Sequence, residues 1–275
     1  MKFVFYSLFL LTTIISCSPN NVTIDNDLKK HFDDNKVEGC FAIMNNGTGQ
    51  FTIYNRARYF DSSYLPASTF KIVNSLIGLQ TGIISSDSMV IKWDSIQRRK
   101  EWDRDLTMFD AFRVSAVNYY QEVARRIGKD TMETWLNVLG YGAKTKKDTI
   151  RIKTSVDSFW LDNSLKITPD QQLGLVKSLY FDELPGFFKT TQEKVKNAML
   201  FENNTKYRLG YKTGWGFTDA GHSIGWIVGW IEENRHPYFF VLNIESPDRD
   251  FDMWNVRMKI LKDILKEKGF LEGKM

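Results

Sequence analysis

The chain has 275 residues, 43% of them hydrophobic and 25% charged, and its 37 basic and 33 acidic side chains leave a formal charge of +4. These are ordinary globular values, and the length suits one large domain or two closely packed regions. Lys and Arg are interleaved with acids along the chain, which argues against a nucleic-acid partner. The two cysteines and three histidines show no zinc-ligand spacing and no HExxH, which argues against a metallo-hydrolase.

The N-terminus reads as an export signal. Lys2 supplies a positive start, and Phe3 to Ile15 is mostly apolar but shorter than the roughly 20 residues a membrane span needs. Ile14-Ile15-Ser16-Cys17 has the pattern of a bacterial lipobox. On that reading residues 1–16 are a removed signal, Cys17 carries lipid, residues 17–25 form a polar tether, and residues 26–275 are the folded domain in the periplasm. The alternative is an ordinary cleaved signal with an incidental cysteine. Cys40 sits in an apolar run and is expected to be a core thiol.

Further along, Cys40 to Met44 and Phe51 to Tyr54 predict a hairpin around Asn45-Asn46-Gly47-Thr48-Gly49. Phe70, Val73, Leu76 and Ile77 share one face of a helix over 70–79, with Gly82 just beyond it. Two helices follow, over 117–127 and 132–139, separated near Gly128. Thr168-Pro169-Asp170 starts another, with Thr as cap and Pro at the first helical position, and Leu173, Val176, Leu179 and Tyr180 mark its inner face. Strands are expected over 207–211, 223–231 and 238–244. In the second, Ile224, Trp226, Val228 and Trp230 alternate with apolar Ile227 and Ile231, as in a strand covered on both faces. A final helix runs through Met253, Val256, Ile260 and Ile264 and ends at Gly269. The order predicts an α/β chain: an antiparallel sheet made from both termini, with a helical region inserted between them.

Three short patterns carry chemistry. Ser68-Thr69-Phe70-Lys71 is SxxK, and on a helix it puts the Lys71 amine one turn beyond the Ser68 hydroxyl, at an N-terminus that favours negative charge on oxygen. A serine needs a base to become a nucleophile, and a lysine serves only when burial strips its proton. About one SxxK is expected by chance in a chain of this size, so a surface Ser and Lys is the bland reading. Lys212-Thr213-Gly214 is a rarer pattern: a fixed positive charge, a hydroxyl donor and backbone room for a ligand, together suited to a carboxylate, or else a plain strand-end turn. Ser115-Ala116-Val117 lies between them and gains meaning only from the order SxxK, SxV, KTG.

This order resembles the class D (OXA-type) serine β-lactamases. The matching stretches are Pro66 to Lys71 followed by Asn74-Ser75-Leu76, and Ser115 to Val117 followed by Tyr120-Gln121-Glu122-Val123-Ala124. Phe159-Trp160-Leu161, Lys212-Thr213-Gly214 and Gly225-Trp226-Ile227-Val228-Gly229-Trp230 match as well. The resemblance implies the β-lactamase/transpeptidase fold and hydrolysis of penicillins and cephalosporins through an acyl-enzyme on Ser68. It implies an N-carboxylated Lys71 as general base, formed reversibly with CO2 or bicarbonate and walled by Val117, Leu161 and Trp160, whose indole N–H can donate to the carbamate. Ser115 beside Lys212 would pass a proton to the leaving nitrogen, the N–H groups of Ser68 and Trp215 would form an oxyanion hole, and Thr213 and Arg257 would hold the drug carboxylate. No other cofactor is implied. The partners are small β-lactams and, through Cys17, a membrane.

One position departs from the pattern: Tyr141-Gly142-Ala143 stands where the family usually has Tyr-Gly-Asn, so no role passes to Ala143. Trp215, Phe217 and Trp254 read as core or wall. Two other readings share the chemistry. A BlaR-type sensor acylates without turnover, but apolar Val117 and the lack of HExxH argue against it. A cell-wall peptidase would carry SxN rather than SxV.

Overall fold

The computed structural model describes residues 21–86, 88–145 and 147–275; the expected export signal and Cys17 lie outside the described residues. Three N-terminal strands, β1 (Val22–Ile24), β2 (Glu38–Asn45) and β3 (Phe51–Tyr54), surround α1 (Lys29–Asp33) and precede α2 (Arg56–Asp61). A 3-10 turn, Ala67–Phe70, then runs into α3 (Lys71–Gln80). The inserted region holds a small ribbon, β4 (Val90–Ile91) with β5 (Leu106–Thr107). Its helices are α4 (Met108–Arg113), α5 (Val117–Ile127), α6 (Lys129–Leu139), α7 (Pro169–Tyr180) and α8 (Lys189–Met199). The chain closes with β6 (Leu200–Asn203), β7 (Arg208–Phe217), β8 (Ser223–Glu233), β9 (His236–Ser246) and α9 (Met253–Glu267).

One seven-stranded sheet has the order β1-β3-β2-β9-β8-β7-β6, so N-terminal β2 pairs with C-terminal β9 across the middle, as expected of a sheet built from both termini. It departs from the expectation at one edge, where β1 runs parallel to β3. Strand alternation sends side chains to two cores. Ala42, Trp226, Val228 and Val241 face α3, α5 and α7, while Phe41, Ile227, Leu242 and Ile244 face α1 and α9. β8 is therefore covered on both faces, which is why its sequence is apolar throughout. Cys40 is a fully buried free thiol, and burial pushes its pKa up to about 12.

The predicted caps form as expected. The Thr168 hydroxyl accepts from the Gln171 N–H and the Gln171 side chain accepts from the Thr168 N–H, closing a capping box with Pro169 at the first helical position. α1, α2 and α4 are absent from the sequence reading because five or six residues are too few to show a period, and α8 because Val195, Ala198 and Met199 are its only apolar residues. The strand expected to stop at Tyr211 instead runs on to Phe217, since β8 keeps pairing with it as far as Ser223.

Candidate active site

Lys212-Thr213-Gly214 therefore lies inside β7, opposite Val228, Ile227 and Trp226, and not in a turn. β6 pairs with β7 only as far as Gly210, so from Tyr211 to Phe217 the strand has no β6 neighbour. The turn bearing Ser68 docks against this stretch. A Cβ on Gly214 would stand 3.0 Å from the Pro66 carbonyl oxygen and 3.2 Å from Thr69 Cγ2. The glycine expected to make room for a ligand also makes room for the nucleophile's own turn.

That turn is held from several sides. The Ala67 N–H donates to the Trp160 carbonyl (3.0 Å), the Thr69 hydroxyl to the Pro66 carbonyl (2.7 Å), and the buried Gln172 amide on α7 to the Thr69 hydroxyl (2.6 Å). The Trp226 indole N–H donates to the Leu65 carbonyl (3.0 Å). These ties hold Ala67 at φ +47°, a strained value for a non-glycine residue. Ser115 ends α4 in the same left-handed region, φ +56°, and the Ala116 N–H reaches back to the Ala111 carbonyl (2.9 Å). Asn74 and Ser75 on α3 bond the Tyr120 carbonyl (3.0 Å) and hydroxyl (2.8 Å) on α5, locking the two serine-bearing segments together.

The Lys71 Nζ donates to the Ser68 Oγ at 2.6 Å, and its side chain is 0% exposed. Burial alone pushes its pKa down to about 7. The Lys212 Nζ, 2% exposed, donates to the Ser115 Oγ (3.0 Å) and the Thr213 carbonyl (3.1 Å). Burial, then the positive charges of Lys71 and Arg257, holds it well below the usual lysine range. Arg257 on α9, also 2% exposed, donates to the Gly214 carbonyl (2.5 Å), and burial brings it down to about 10, so it stays charged at neutral pH. Among the described residues none of the three basic groups has a carboxylate partner. Among the described residues the buried Arg257 Nε and Trp160 indole N–H also find no hydrogen-bond partner. Buried cations and donors left this way favour an incoming anion.

A cleft of about 120 Å3 opens over Ser68, walled by Ser115, Val117, Thr213, Gly214 and Arg257, with Trp215 (40% exposed) and Trp254 (55% exposed) at its rim. The two tryptophans are wall and not core. Trp160 is buried beside Phe70, ring centroids 5.2 Å apart, and Leu161 packs against the same core. Tyr141 is buried, with its hydroxyl close to Thr69 and Gln172. The Ala143 carbonyl accepts from the Gln171 side chain (2.5 Å), which ties down the loop that lacks an Asn amide. Residues 93–112 read in the sequence as a wall loop without any residue singled out, and the loop supplies Arg99 and Trp102 to the cleft; these two, Val114 on the wall and Gln172 behind the nucleophile belong to no motif. Among the described residues no three His, Cys, Asp or Glu side chains cluster as a metal site.

Residues 29–266 match the penicillin binding protein transpeptidase domain. Over 247 residues, 89% of each chain, the sequence is 37% identical to β-lactamase OXA-5 of Pseudomonas aeruginosa. The chain belongs to the class D serine β-lactamases. A solved class D β-lactamase of this family, YbXI from Nostoc, superposes with a TM-score of 0.81 at 38% identity, covering 90% of this chain and 100% of that one. The C-terminal domain of the BlaR penicillin receptor of Bacillus licheniformis also superposes with a TM-score of 0.81, at 30% identity over 90% of this chain and 96% of that domain. The class D fold is thus common to enzymes and to a receptor, and the site chemistry has to separate them.

Proposed function

We propose that this protein hydrolyses the amide bond of β-lactams through an acyl-enzyme on Ser68. The observation that carries the reading is the fully buried Lys71 amine 2.6 Å from the Ser68 hydroxyl, with its pKa down to about 7. An uncharged amine at that distance can take the hydroxyl proton as Ser68 Oγ attacks the lactam carbonyl. The C–N bond then breaks, and the leaving nitrogen takes a proton passed along Lys212 and Ser115. Water attacks the ester and Ser68 regains its proton. The N–H groups of Ser68 and Trp215 bind the carbonyl oxygen in both steps. Thr213 and Arg257 hold the drug carboxylate, as the unpaired charge of Arg257 favours.

Only an uncharged amine reacts with CO2, so the Lys71 niche fits carboxylation, and the unpartnered Trp160 N–H beside Phe70 fits as a donor to the product. The carbamate would give Lys71 an anionic proton acceptor that stays unprotonated near neutral pH, and with it the negative charge the site lacks. Val117 and Leu161 keep water from the niche.

The second reading, a sensor, is favoured by the BlaR match. Steady-state hydrolysis of a chromogenic cephalosporin with bicarbonate, followed by mass spectrometry of the protein, separates the two. Turnover with transient acylation supports the enzyme. A stoichiometric burst with a lasting adduct on Ser68 supports the sensor, and no adduct overturns both. Export and lipid attachment at Cys17 belong to the same proposal, supported by the lipobox pattern alone. Mass spectrometry of the mature N-terminus tests them, and an unmodified residue other than Cys17 there overturns lipidation.

A further inference from the structure

The cleft has a second cation. Arg99 lines it together with Trp102 and Val114, from the 92–105 segment and the end of α4, and Arg257 lines the same cleft from α9, bonded to β7 at Gly214. Its position is built. The Trp102 and Asp103 N–H groups both donate to the Arg99 carbonyl (2.7 and 3.0 Å), the Trp102 indole N–H donates to the Val114 carbonyl (3.0 Å), and the guanidinium lies 5.1 Å from the centre of the Trp102 ring.

The nearby aspartates are engaged elsewhere. Asp94 takes Arg98 through two bonds (2.8 and 2.7 Å), Asp105 takes Lys92 (2.6 Å), and the Asp103 carboxylate accepts the Arg98 backbone N–H (3.0 Å). Among the described residues no carboxylate pairs with Arg99. Its ring contact orients the charge without neutralising it.

We infer that Arg99, seated over Trp102 in the cleft that Arg257 also lines, selects β-lactams whose side chain carries a second negative charge. The inference rests on the β-lactam reading. With the ring carboxylate on Arg257 and the lactam carbonyl at Ser68, the side chain of the drug extends toward the wall that holds Arg99 and Trp102. Val114 and Trp102 offer apolar contact to its body, and Arg99 meets an anion at its end. The guanidinium is exposed, so the preference is modest and salt-sensitive.

The test is a matched pair, benzylpenicillin and its α-carboxy derivative carbenicillin, which differ by one carboxylate. The ratio of kcat/KM for carbenicillin to that for benzylpenicillin is measured for the wild type, Arg99→Gln and Arg99→Lys, with thermal melts to check folding. Arg99→Gln is expected to lower the ratio about three- to fivefold at low salt, Arg99→Lys to keep most of it, and high salt to shrink the wild-type advantage. An unchanged ratio in Arg99→Gln overturns the inference while leaving the enzyme reading intact. Failure of the wild type to hydrolyse either penicillin overturns the enzyme reading itself.

Discussion

The Lys71 Nζ and the Ser68 Oγ lie 2.6 Å apart, inside a niche where the lysine has no exposed surface and burial is the sole cause of its lowered pKa. The amine therefore changes charge near neutrality, and the pH dependence of the enzyme follows from that. The base must be unprotonated, so kcat/KM is expected to rise with pH through about 7. Below that limb it should fall about tenfold per pH unit. Rates at fixed bicarbonate across the range check this, and a flat profile through neutrality contradicts it.

The same group sets a stability trend. Its folded pKa, about 7, lies below the ordinary 10.5, so the unfolded chain holds more proton between those values. Stability from this group therefore increases with pH across that window, and below it the full cost of burying the amine is present. Lys71→Met removes the cost. In CO2-free buffer the variant should melt higher than the wild type at pH 6, by the equivalent of about 2–4 kcal/mol, with the gap closing toward pH 10. Calorimetry at both pH values measures it.

Trp160→Phe keeps a ring against Phe70 but removes the unpartnered indole N–H. Stability should fall by about 1–2 kcal/mol through the smaller buried ring alone, because no hydrogen bond present in the fold is lost. The carbamate signal in 13C-bicarbonate NMR should fade, and added bicarbonate should restore part of kcat. A full carbamate signal in the variant would remove the role given to Trp160.

Gly214→Ala drives a Cβ to 3.0 Å from the Pro66 carbonyl. The strand or the Ser68 turn must shift, at a cost of about 1–3 kcal/mol. Acylation should slow at least about tenfold, since the N–H groups proposed as oxyanion donors, those of Ser68 and Trp215, come from both sides of that contact. Stopped-flow acylation read beside a thermal melt tests whether position 214 holds the turn in place.

Ser115→Ala deletes the hydroxyl 3.0 Å from the Lys212 amine. Proton delivery to the leaving nitrogen should suffer, lowering the acylation rate about a hundredfold or more. If acylation stays fast and only deacylation slows, Ser115 serves the second step instead.

The motifs and the main elements are legible in the amino-acid order because both rest on short-range physics. The SxxK pair sits one helical turn apart, Thr168 and Pro169 begin α7 as local capping chemistry requires, and the apolar residues of β8 reveal a strand covered on both faces. Helices such as α8, with a polar face and few apolar residues, carry no such signal. The continuation of β7 through Lys212-Thr213-Gly214 is decided by β8 alongside it.

Long-range packing supplies the rest. Lys71 reads the same on paper whether wet or dry, and it is burial, with the amine 5.6 Å from the centre of the Tyr120 ring, that lowers its pKa to about 7. Nothing near Gln172 in the chain links it to the Thr69 hydroxyl, and nothing in the 93–112 wall loop singles out Arg99 as the residue that reaches the cleft over Ser68. A side chain's charge state and its partners depend on what surrounds it in space, and those neighbours come from segments that meet only when the sheet and the inserted helices close on one another.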